Sequence, residues 1–153
     1  MSSTLEPHVA ANCIDDDETT NMCHSLLQDS PWVSIELPAD SSGASAQVSQ
    51  IVVYNRYDGS WDRLVPFQLW VGTSPGDYNS ATSTACGLQN LTTPVTRGPF
   101  AFDCVTAGGG ASSVLQGNYV TLVLPGPSRI LNLAGIHVYS PFFSPSPPPP
   151  SPP

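Results

Sequence analysis

Two of the four arginines in the chain, Arg56 and Arg63, lie within one eight-residue stretch, RYDGSWDR. A guanidinium offers five hydrogen-bond donors in a planar fork, and a nearby carboxylate holds that fork in place and accepts hydrogen bonds itself. With Trp61 in the same stretch, the pattern favours sugar binding, because vicinal hydroxyls take paired hydrogen bonds while an apolar sugar face lies on a ring. The composition leaves a second interpretation open, an exposed loop in which Asp58 and Asp62 form ion pairs with the two arginines.

A second polar cluster is the acidic run DDDE at residues 15–18. Calcium binds about six to eight oxygen ligands from carboxylates and carbonyls, so this run is a candidate calcium loop. A solvated acidic loop is the alternative. The run is not an EF-hand, since it lacks the glycine at the sixth position and the closing glutamate.

The four cysteines are an even number in a small chain that has no lysine and is rich in Ser, Thr, Pro and Gly. This composition is typical of an oxidising compartment and predicts two disulfides. Four cysteines allow three pairings, and closure between nearest neighbours favours Cys13–Cys23 and Cys86–Cys104. Zinc ligation is the weaker interpretation, because no C-x-x-C is present and no histidine accompanies a cysteine pair at zinc-finger spacing.

Short β-type runs predict the scaffold that must hold these residues. Helical periodicity is nearly absent, and the runs are rich in β-branched and aromatic residues and bounded by turn formers. They are Trp32–Leu37, Val48–Tyr54, Phe67–Gly72, Phe100–Cys104, Tyr119–Leu124 and Leu131–Tyr139. Several alternate apolar and polar residues, which directs one face of each strand into a core. We therefore predict an all-β antiparallel sandwich or jelly roll, with loops at 38–47 and 106–113.

The composition changes near Ser140, where the sequence becomes SPFFSPSPPPPSPP. Proline fixes φ and removes the amide donor, so this segment is expected to form a polyproline II rod, of which residues 144–153 would extend about 30 Å. A spacer is favoured over a ligand for intracellular SH3 or WW domains. The predicted division is an N-terminal extension at 1–9, a sandwich at 10–140 and a proline-rich tail or stalk at 141–153.

The charge balance argues against several classes of function. The net charge is −8, so the chain has no basic patch for nucleic acid. No apolar run is long enough to span a bilayer, and no basic amphipathic face suits a membrane surface, so we expect no membrane insertion. The H-E-x-x-H signature is missing and no cysteine stands out as an unpaired nucleophile, which predicts that the domain is not an enzyme. His8 and His137 stand alone in the sequence, which favours structural roles.

A resemblance to a known family sharpens the first interpretation. The segment Asn55-Arg56-Tyr57-Asp58-(GSWD)-Arg63-Leu64 resembles the R-x-D-x4-R signature of the F-type lectins, the fucose-binding family of the eel agglutinin. Upstream, His24 is followed by six residues and then Pro31-Trp32, which is similar to the family's entry into its first long strand. With weaker matches elsewhere, the resemblance covers about residues 10–139. It implies a galactose-binding or discoidin-like jelly roll.

The resemblance also implies roles for individual residues. His24, Arg56 and Arg63 would donate hydrogen bonds to the ring oxygen and hydroxyls of fucose, and Asp58 would orient the arginines. Many family members carry adjacent cysteines where this sequence has glycine and serine at 59–60. Trp61 follows, and it would either supply an apolar contact to the sugar or obstruct the pocket.

Calcium binding is implied in the same way. The sequence Ile14-Asp15-Asp16-Asp17 matches the family's calcium loop I-D-x-N, with Asn12 in front of it. The implied ligands are Asn12, Asp15 and Asp17. The family's Cys-Glu near the last strand corresponds to the Ala-Gly at 134–135 here, and the loss of that cysteine is consistent with local pairing of the first two cysteines.

The sequence thus predicts an extracellular module that binds fucose or a related sugar on glycoproteins of a cell surface or matrix. The alternative is a structural module of a wall or fibre that packs against other proteins, with self-assembly through a longer parent chain. Asn90-Leu91-Thr92 is an N-glycosylation sequon, and the tail resembles hydroxyproline-rich cell-wall glycoproteins of green algae. The segment after Met1 has no secretion signal, so the sequence is either a mature fragment with an added methionine or a protein of another compartment.

Overall fold

The computed structural model describes residues 1–39, 43–87, 90–104 and 114–141. Within these ranges the chain forms ten strands and two short 3₁₀ helices. The strands are β1 (Cys23–His24), β2 (Trp32–Glu36), β3 (Ala46–Val48), β4 (Gln50–Asn55), β5 (Gln68–Gly72), β6 (Thr84–Ala85), β7 (Phe100–Asp103), β8 (Leu115–Gly117), β9 (Tyr119–Val123) and β10 (Asn132–Tyr139), and the 3₁₀ helices are Ala10–Cys13 and Trp61–Leu64. The predicted loop at 106–113 and the predicted rod at 144–153 lie outside the described residues.

The strands form two four-stranded antiparallel sheets and one two-stranded sheet. The first sheet has the order β1-β10-β4-β7, the second β2-β9-β5-β6, and β3 pairs with β8. The register between β10 and β4 shifts between Leu133 and Gly135, which marks a bulge beside the end of β4. The predicted antiparallel β-sandwich is confirmed.

The core lies between the two large sheets because their inward residues are apolar. Val33, Leu69 and Leu122 come from the second sheet, and Ile51 and Val53 come from the first; all five are essentially inaccessible to solvent. The rings of Phe67 and Phe102 meet edge to face across the sandwich, with centroids 5.4 Å apart. Burial of each such side chain stabilises the fold by about 1.5–3 kcal/mol.

The strand predictions hold for the long apolar runs and miss the short ones. Residues 38–47 are predicted to be a loop, but Ala46 and Gln47 belong to β3 and pair with Gly117 and Gln116. Strand pairing is made by backbone hydrogen bonds, so a run of small and polar side chains does not predict it. The two-residue strands β1 and β6 are too short to produce any alternation.

Both expected disulfides are present. Cys13–Cys23 joins the first 3₁₀ helix to β1, and Cys86–Cys104 joins the segments that follow β6 and β7. All four cysteines are buried in the core. No described helix is long and apolar enough to cross a bilayer.

The first nine residues pack on the sandwich. The Ser2 amide donates to the Trp32 carbonyl at 2.9 Å, and the Leu5 amide donates to the His24 carbonyl at 2.8 Å. The His24 amide in turn donates to the His8 carbonyl at 3.0 Å. This segment therefore lies alongside β1 and covers the edge of the first sheet.

Candidate functional site

The position of β10 between β1 and β4 brings two predicted site residues to one edge of the sandwich. Leu133 of β10 pairs with Cys23 on one side and with Asn55 on the other. Both neighbouring strands run antiparallel to β10, so they are parallel to each other. His24 and Arg56, each one residue further along, therefore leave the sheet at the same end. Two strand spacings separate their backbones, about 10 Å.

The loop that carries the arginines is held by Asn55, which is fully buried. Its side-chain nitrogen, Nδ2, donates to the carbonyls of Trp61 at 2.9 Å and Thr96 at 3.3 Å. Its side-chain oxygen, Oδ1, accepts from the backbone amide of Arg56 at 2.9 Å. Gly59 then adopts a φ of 116°, which a residue with a Cβ rarely tolerates. The chain reverses at this glycine and enters the second 3₁₀ helix.

Arg56 and Asp58 form a two-point ion pair. The Arg56 Nε lies 2.5 Å from one carboxylate oxygen, and a terminal nitrogen donates to the other at 2.8 Å. The hydrogen bonds from Arg56 hold the pKa of Asp58 below its usual value, and Asp58 raises the pKa of Arg56. Asp58 thus fixes the guanidinium plane of Arg56 and makes no hydrogen bond with Arg63, and one terminal nitrogen of Arg56 has no partner among the described residues.

Trp61 and Arg63 both lie on the second 3₁₀ helix, but of the two only Trp61 has a side-chain partner among the described residues. The indole N–H of Trp61 donates to the Arg56 carbonyl at 2.8 Å, so the ring is tied to the arginine loop. Arg63 is exposed, and its side chain has no hydrogen bond or ion pair with any residue that the structure describes. The ion-pair interpretation of this loop therefore applies to Arg56 and not to Arg63.

His24 lies at the end of β1, half-buried, with a defined ring orientation. Its Nδ1 is 2.7 Å from the Ser25 carbonyl oxygen, which can only accept, so Nδ1 carries the proton. The pKa of His24 is lowered by burial and by the positive charges of Arg56 and Arg63. The ring is therefore neutral at pH 7, and its Nε2 is an acceptor. The resemblance implies that His24 donates a hydrogen bond to the sugar. With Nδ1 protonated and the ring neutral, Nε2 would instead accept a hydrogen bond from a sugar hydroxyl.

His8 is a neighbour of this group that sequence reasoning missed. Its ring centroid is 6.1 Å from that of His24, with an angle of 37° between the planes. His8 reaches this position through the N-terminal segment that pairs with β1, a contact for which the sequence carries no periodic signal. His8, which stands alone in the sequence, therefore lies at the edge of the sandwich that carries the arginine loop.

The acidic run forms a compact loop whose carboxylates bond within it. Asp15 accepts from the Asp17 amide at 3.0 Å and from the Asn21 side chain at 2.9 Å. Asp17 accepts from the amides of Thr19 and Thr20 and from both of their hydroxyls. These hydrogen bonds, with that from the Thr20 hydroxyl the largest cause, lower the pKa of Asp17 to about 2. Asn12, the third predicted calcium ligand, donates to the Met22 carbonyl at 3.2 Å, which leaves its side-chain oxygen available.

A group that could hold a metal ion lies beside this loop. One ligand atom from each of Asp16, Glu18 and His137 falls within 4.8 Å of the others, and His137 Nε2 is 2.7 Å from a Glu18 oxygen. The Glu18 side chain passes over Gly135, where a Cβ would approach it to 3.0 Å. The residues of this group differ from the predicted ligands Asn12, Asp15 and Asp17. Because Gly135 at the bulge has no Cβ, the Glu18 side chain can pass over it without a close contact.

Comparison with solved structures identifies the fold. A fucolectin from striped bass (Morone saxatilis) serum matches with a TM-score of 0.71 and 21% identity over 91% of this chain and 45% of that one. The lectin domain of lectinolysin, in complex with Lewis B antigen, matches with a TM-score of 0.69 and 19% identity over 92% and 90%. This chain has the fold of the F-type lectins. A fucose-binding module of Streptococcus pneumoniae also matches, with a TM-score of 0.66 and 20% identity over 92% and 91%.

Comparison of the amino-acid sequence, unlike comparison of the fold, finds no relative. No protein-family model and no curated protein matches the chain. It spans less than half of the striped bass protein and nearly all of the two bacterial domains. The F-type lectin resemblance predicted from the arginine motif is therefore confirmed at the level of the fold.

Proposed function

We propose that this domain is a non-catalytic carbohydrate-binding module that recognises fucose or a closely related sugar. The observation that carries the proposal is the position of His24 and Arg56 at the same end of the two strands that flank β10. The positive charges of Arg56 and Arg63 also contribute to lowering the pKa of His24. The edge carries guanidinium donors and one imidazole acceptor. Vicinal sugar hydroxyls, which both donate and accept, complement such a set.

Each of the five predicted residues has a separate task in this proposal. Arg63 and Arg56, the latter oriented by Asp58, donate hydrogen bonds to the sugar, and Nε2 of His24 accepts a hydrogen bond from a sugar hydroxyl. The Trp61 ring, whose indole nitrogen donates to the Arg56 carbonyl, would contact an apolar face of the ligand. The likeness to a fucolectin, and to a lectin domain in complex with Lewis B antigen, supports a fucosylated ligand.

We also propose that calcium binds the acidic loop through Asn12, Asp15 and Asp17. The donor set is oxygen only, as calcium requires, with further ligands from carbonyls and water. The Asn12 oxygen has no partner among the described residues, and each Asp15 oxygen takes one hydrogen bond and keeps a lone pair. Asp17, with a pKa of about 2, offers its charge without competition from protons at neutral pH.

A calcium titration tests that site. Calcium bound only to the native state raises its stability, by about 2.7 kcal/mol at one hundred times the dissociation constant. The Tm should therefore rise with calcium, fall back with EDTA, and lose this response in Asp15→Asn. Glu36→Gln, which neutralises an exposed carboxylate on β2, is the matched control and should keep the response. An unchanged Tm in wild type with both reagents would show that the loop is merely solvated.

The setting of the module is proposed to be extracellular, on a cell wall or cell surface, with glycoproteins as partners. Two buried disulfides support an oxidising compartment. Asn90 and Thr92 of the sequon are both exposed, so the acceptor nitrogen is accessible to glycosylation. The proline-rich tail is proposed to be a stalk to other parts of a longer chain, through which self-assembly would occur.

A glycan array tests the sugar proposal directly. The whole chain should bind fucosylated glycans, and Arg63→Ala should abolish or strongly weaken every positive signal. Measurement with and without EDTA separates the sugar site from the calcium loop. If the wild-type chain binds no fucosylated or related glycan at millimolar concentration, the carbohydrate-binding proposal fails and the structural module replaces it.

A further inference from the structure

A shallow groove adjoins the arginine loop at Arg63. It has a volume of about 160 Å³ and is lined by Leu27, Arg63, Ser128, Arg129 and Ile130. Since Arg63 also belongs to the proposed sugar site, a ligand bound there would have the groove directly beside it. Leu27, 63% exposed, lies on the loop after His24 and gives the groove one apolar wall.

The groove contains two of the four arginines of an acidic protein, and neither has an acidic partner among the described residues. Arg56 is paired with Asp58, and Arg97 donates to the Glu18 carbonyl. Among the described residues, no carboxylate lies within ion-pair distance of Arg63, Arg97 or Arg129. In a chain of net charge −8, this groove therefore brings together two arginines whose charge no described carboxylate neutralises.

Arg129 is held rigidly in this position. One terminal nitrogen donates to the Pro125 carbonyl at 3.1 Å, and the other donates to the carbonyls of Arg63 at 3.1 Å and Val65 at 3.0 Å. Those contacts leave the Nε hydrogen and one terminal hydrogen without a partner among the described residues. Carbonyl oxygens accept hydrogen bonds but do not neutralise the charge. The guanidinium is thus fixed before a ligand arrives and keeps its full positive charge.

We propose that this groove is a subsite for an acidic substituent, a sulfate or a carboxylate, on the glycan whose fucose occupies the neighbouring site. An oxyanion there would accept from both arginines in charge-assisted hydrogen bonds, while the ring that carries it would contact Leu27 and Ile130. The preferred ligand is then an acidic fucosylated glycan. This inference rests on the proposed sugar site, because Arg63 serves both positions.

The test compares one fucosylated oligosaccharide in three forms: neutral, sulfated, and sialylated on the sugar next to fucose. Calorimetry on the whole chain at pH 7 and low salt should show at least one acidic form binding about tenfold more tightly than the neutral form, as expected for partly exposed charge-assisted contacts. The preference should shrink on raising salt from about 0.05 to about 0.5 M, because exposed charges are screened. The sulfated and sialylated forms distinguish the two sources of the anion.

The matched variants are Ser128→Asp and Ser128→Asn. Ser128 is exposed at the rim of the groove with a φ of 51°, a conformation that Asp and Asn tolerate better than most residues. The two substitutions have the same shape and differ only in charge. The ratio of acidic to neutral affinity should fall several-fold in Ser128→Asp and stay within about twofold in Ser128→Asn. Circular dichroism and Tm establish that both variants fold.

The outcomes separate this inference from the function on which it rests. If the neutral glycan binds and neither acidic form binds more tightly, the groove is no anion subsite and the fucose site stands. An equal loss of preference in both Ser128 variants would also overturn the inference, because shape and not charge would then be responsible. If no fucosylated form binds at all, the proposed function itself fails.

Discussion

The molecule has two polar loops that the sequence singles out, and they use their side chains in opposite ways. In the acidic loop, the carboxylates of Asp15 and Asp17 accept hydrogen bonds from the loop itself. In the arginine loop, buried Asn55 and the Trp61 indole satisfy the backbone groups. The guanidinium of Arg63 is consequently left with no partner among the described residues.

The difference concerns hydrogen-bonding capacity and not polarity. A polar side chain that already stabilises its own loop must give up those hydrogen bonds, or share them, before it can bind a ligand. A loop that is stabilised by separate, buried residues keeps its charged groups available and fixed in direction. By this criterion the arginine loop is the stronger binding site of the two.

The largest effect on stability is expected for Asn55→Ala. This change removes a fully buried side chain and leaves the partly buried carbonyls of Trp61 and Thr96 and the Arg56 amide without their partner, which should cost about 2–4 kcal/mol of unfolding free energy. Its counterpart in the acidic loop is Asn21→Ala, which removes one exposed hydrogen bond to Asp15 and should cost less than about 1 kcal/mol. Denaturant unfolding measures both, and similar losses would contradict the contrast.

Removal of an arginine should affect binding far more than folding. Arg63→Ala and Arg56→Ala should each weaken sugar binding by about 1.5–3 kcal/mol, since each removes charge-assisted hydrogen bonds to the ligand. Arg97→Ala is the matched control, because the Arg97 side chain donates to the Glu18 carbonyl near the acidic loop. Calorimetry should show wild-type affinity for that control. Equal weakening in all three variants would mean that net charge, and not the site, determines binding.

The sequence predicts the sandwich well where apolar alternation is strong. Phe67, Leu69 and Val71 alternate in the sequence, and all three are buried. The prediction fails where a strand is defined only by its partner. Strand β1 has two residues and is recognisable only because β10 pairs with it, and β3 consists largely of small and polar residues.

The site shows the same division. The arginine motif predicts the contact between Arg56 and Asp58, because the two residues are close in sequence. It does not predict the neighbours that distant segments bring. His8 reaches His24 through the N-terminal segment, and Arg129 reaches the Arg63 carbonyl across 66 residues of sequence. Such contacts depend on how the sheets are paired, which short-range patterns do not encode.

A smaller effect should appear in the pH dependence of sugar binding. The pKa of His24 is lowered below its ordinary value of 6.5, chiefly by burial, so the folded state binds this proton less readily than the unfolded state does. The resulting stability is present near pH 7 and falls as the pH drops below 6.5. Protonation also converts Nε2 from an acceptor to a donor. Affinity should therefore weaken towards pH 5 in wild type, whereas His24→Gln, which does not titrate, should lose this dependence.

The smallest effect concerns Asp17, and it tests whether the acidic loop really uses its own oxygens. The pKa of this carboxyl is lowered to about 2, with the Thr20 hydroxyl as the largest cause. The stability that it contributes is present above the unfolded value of 3.8 and is lost as the pH falls through about 2. An NMR titration of the Asp17 carboxyl should give a midpoint near 2, and Thr20→Val, which keeps the shape and removes the hydroxyl, should raise it. A wild-type midpoint near 3.8 would show that the oxygens are not held by the loop, and the acidic loop would then be as open to a ligand as the arginine loop.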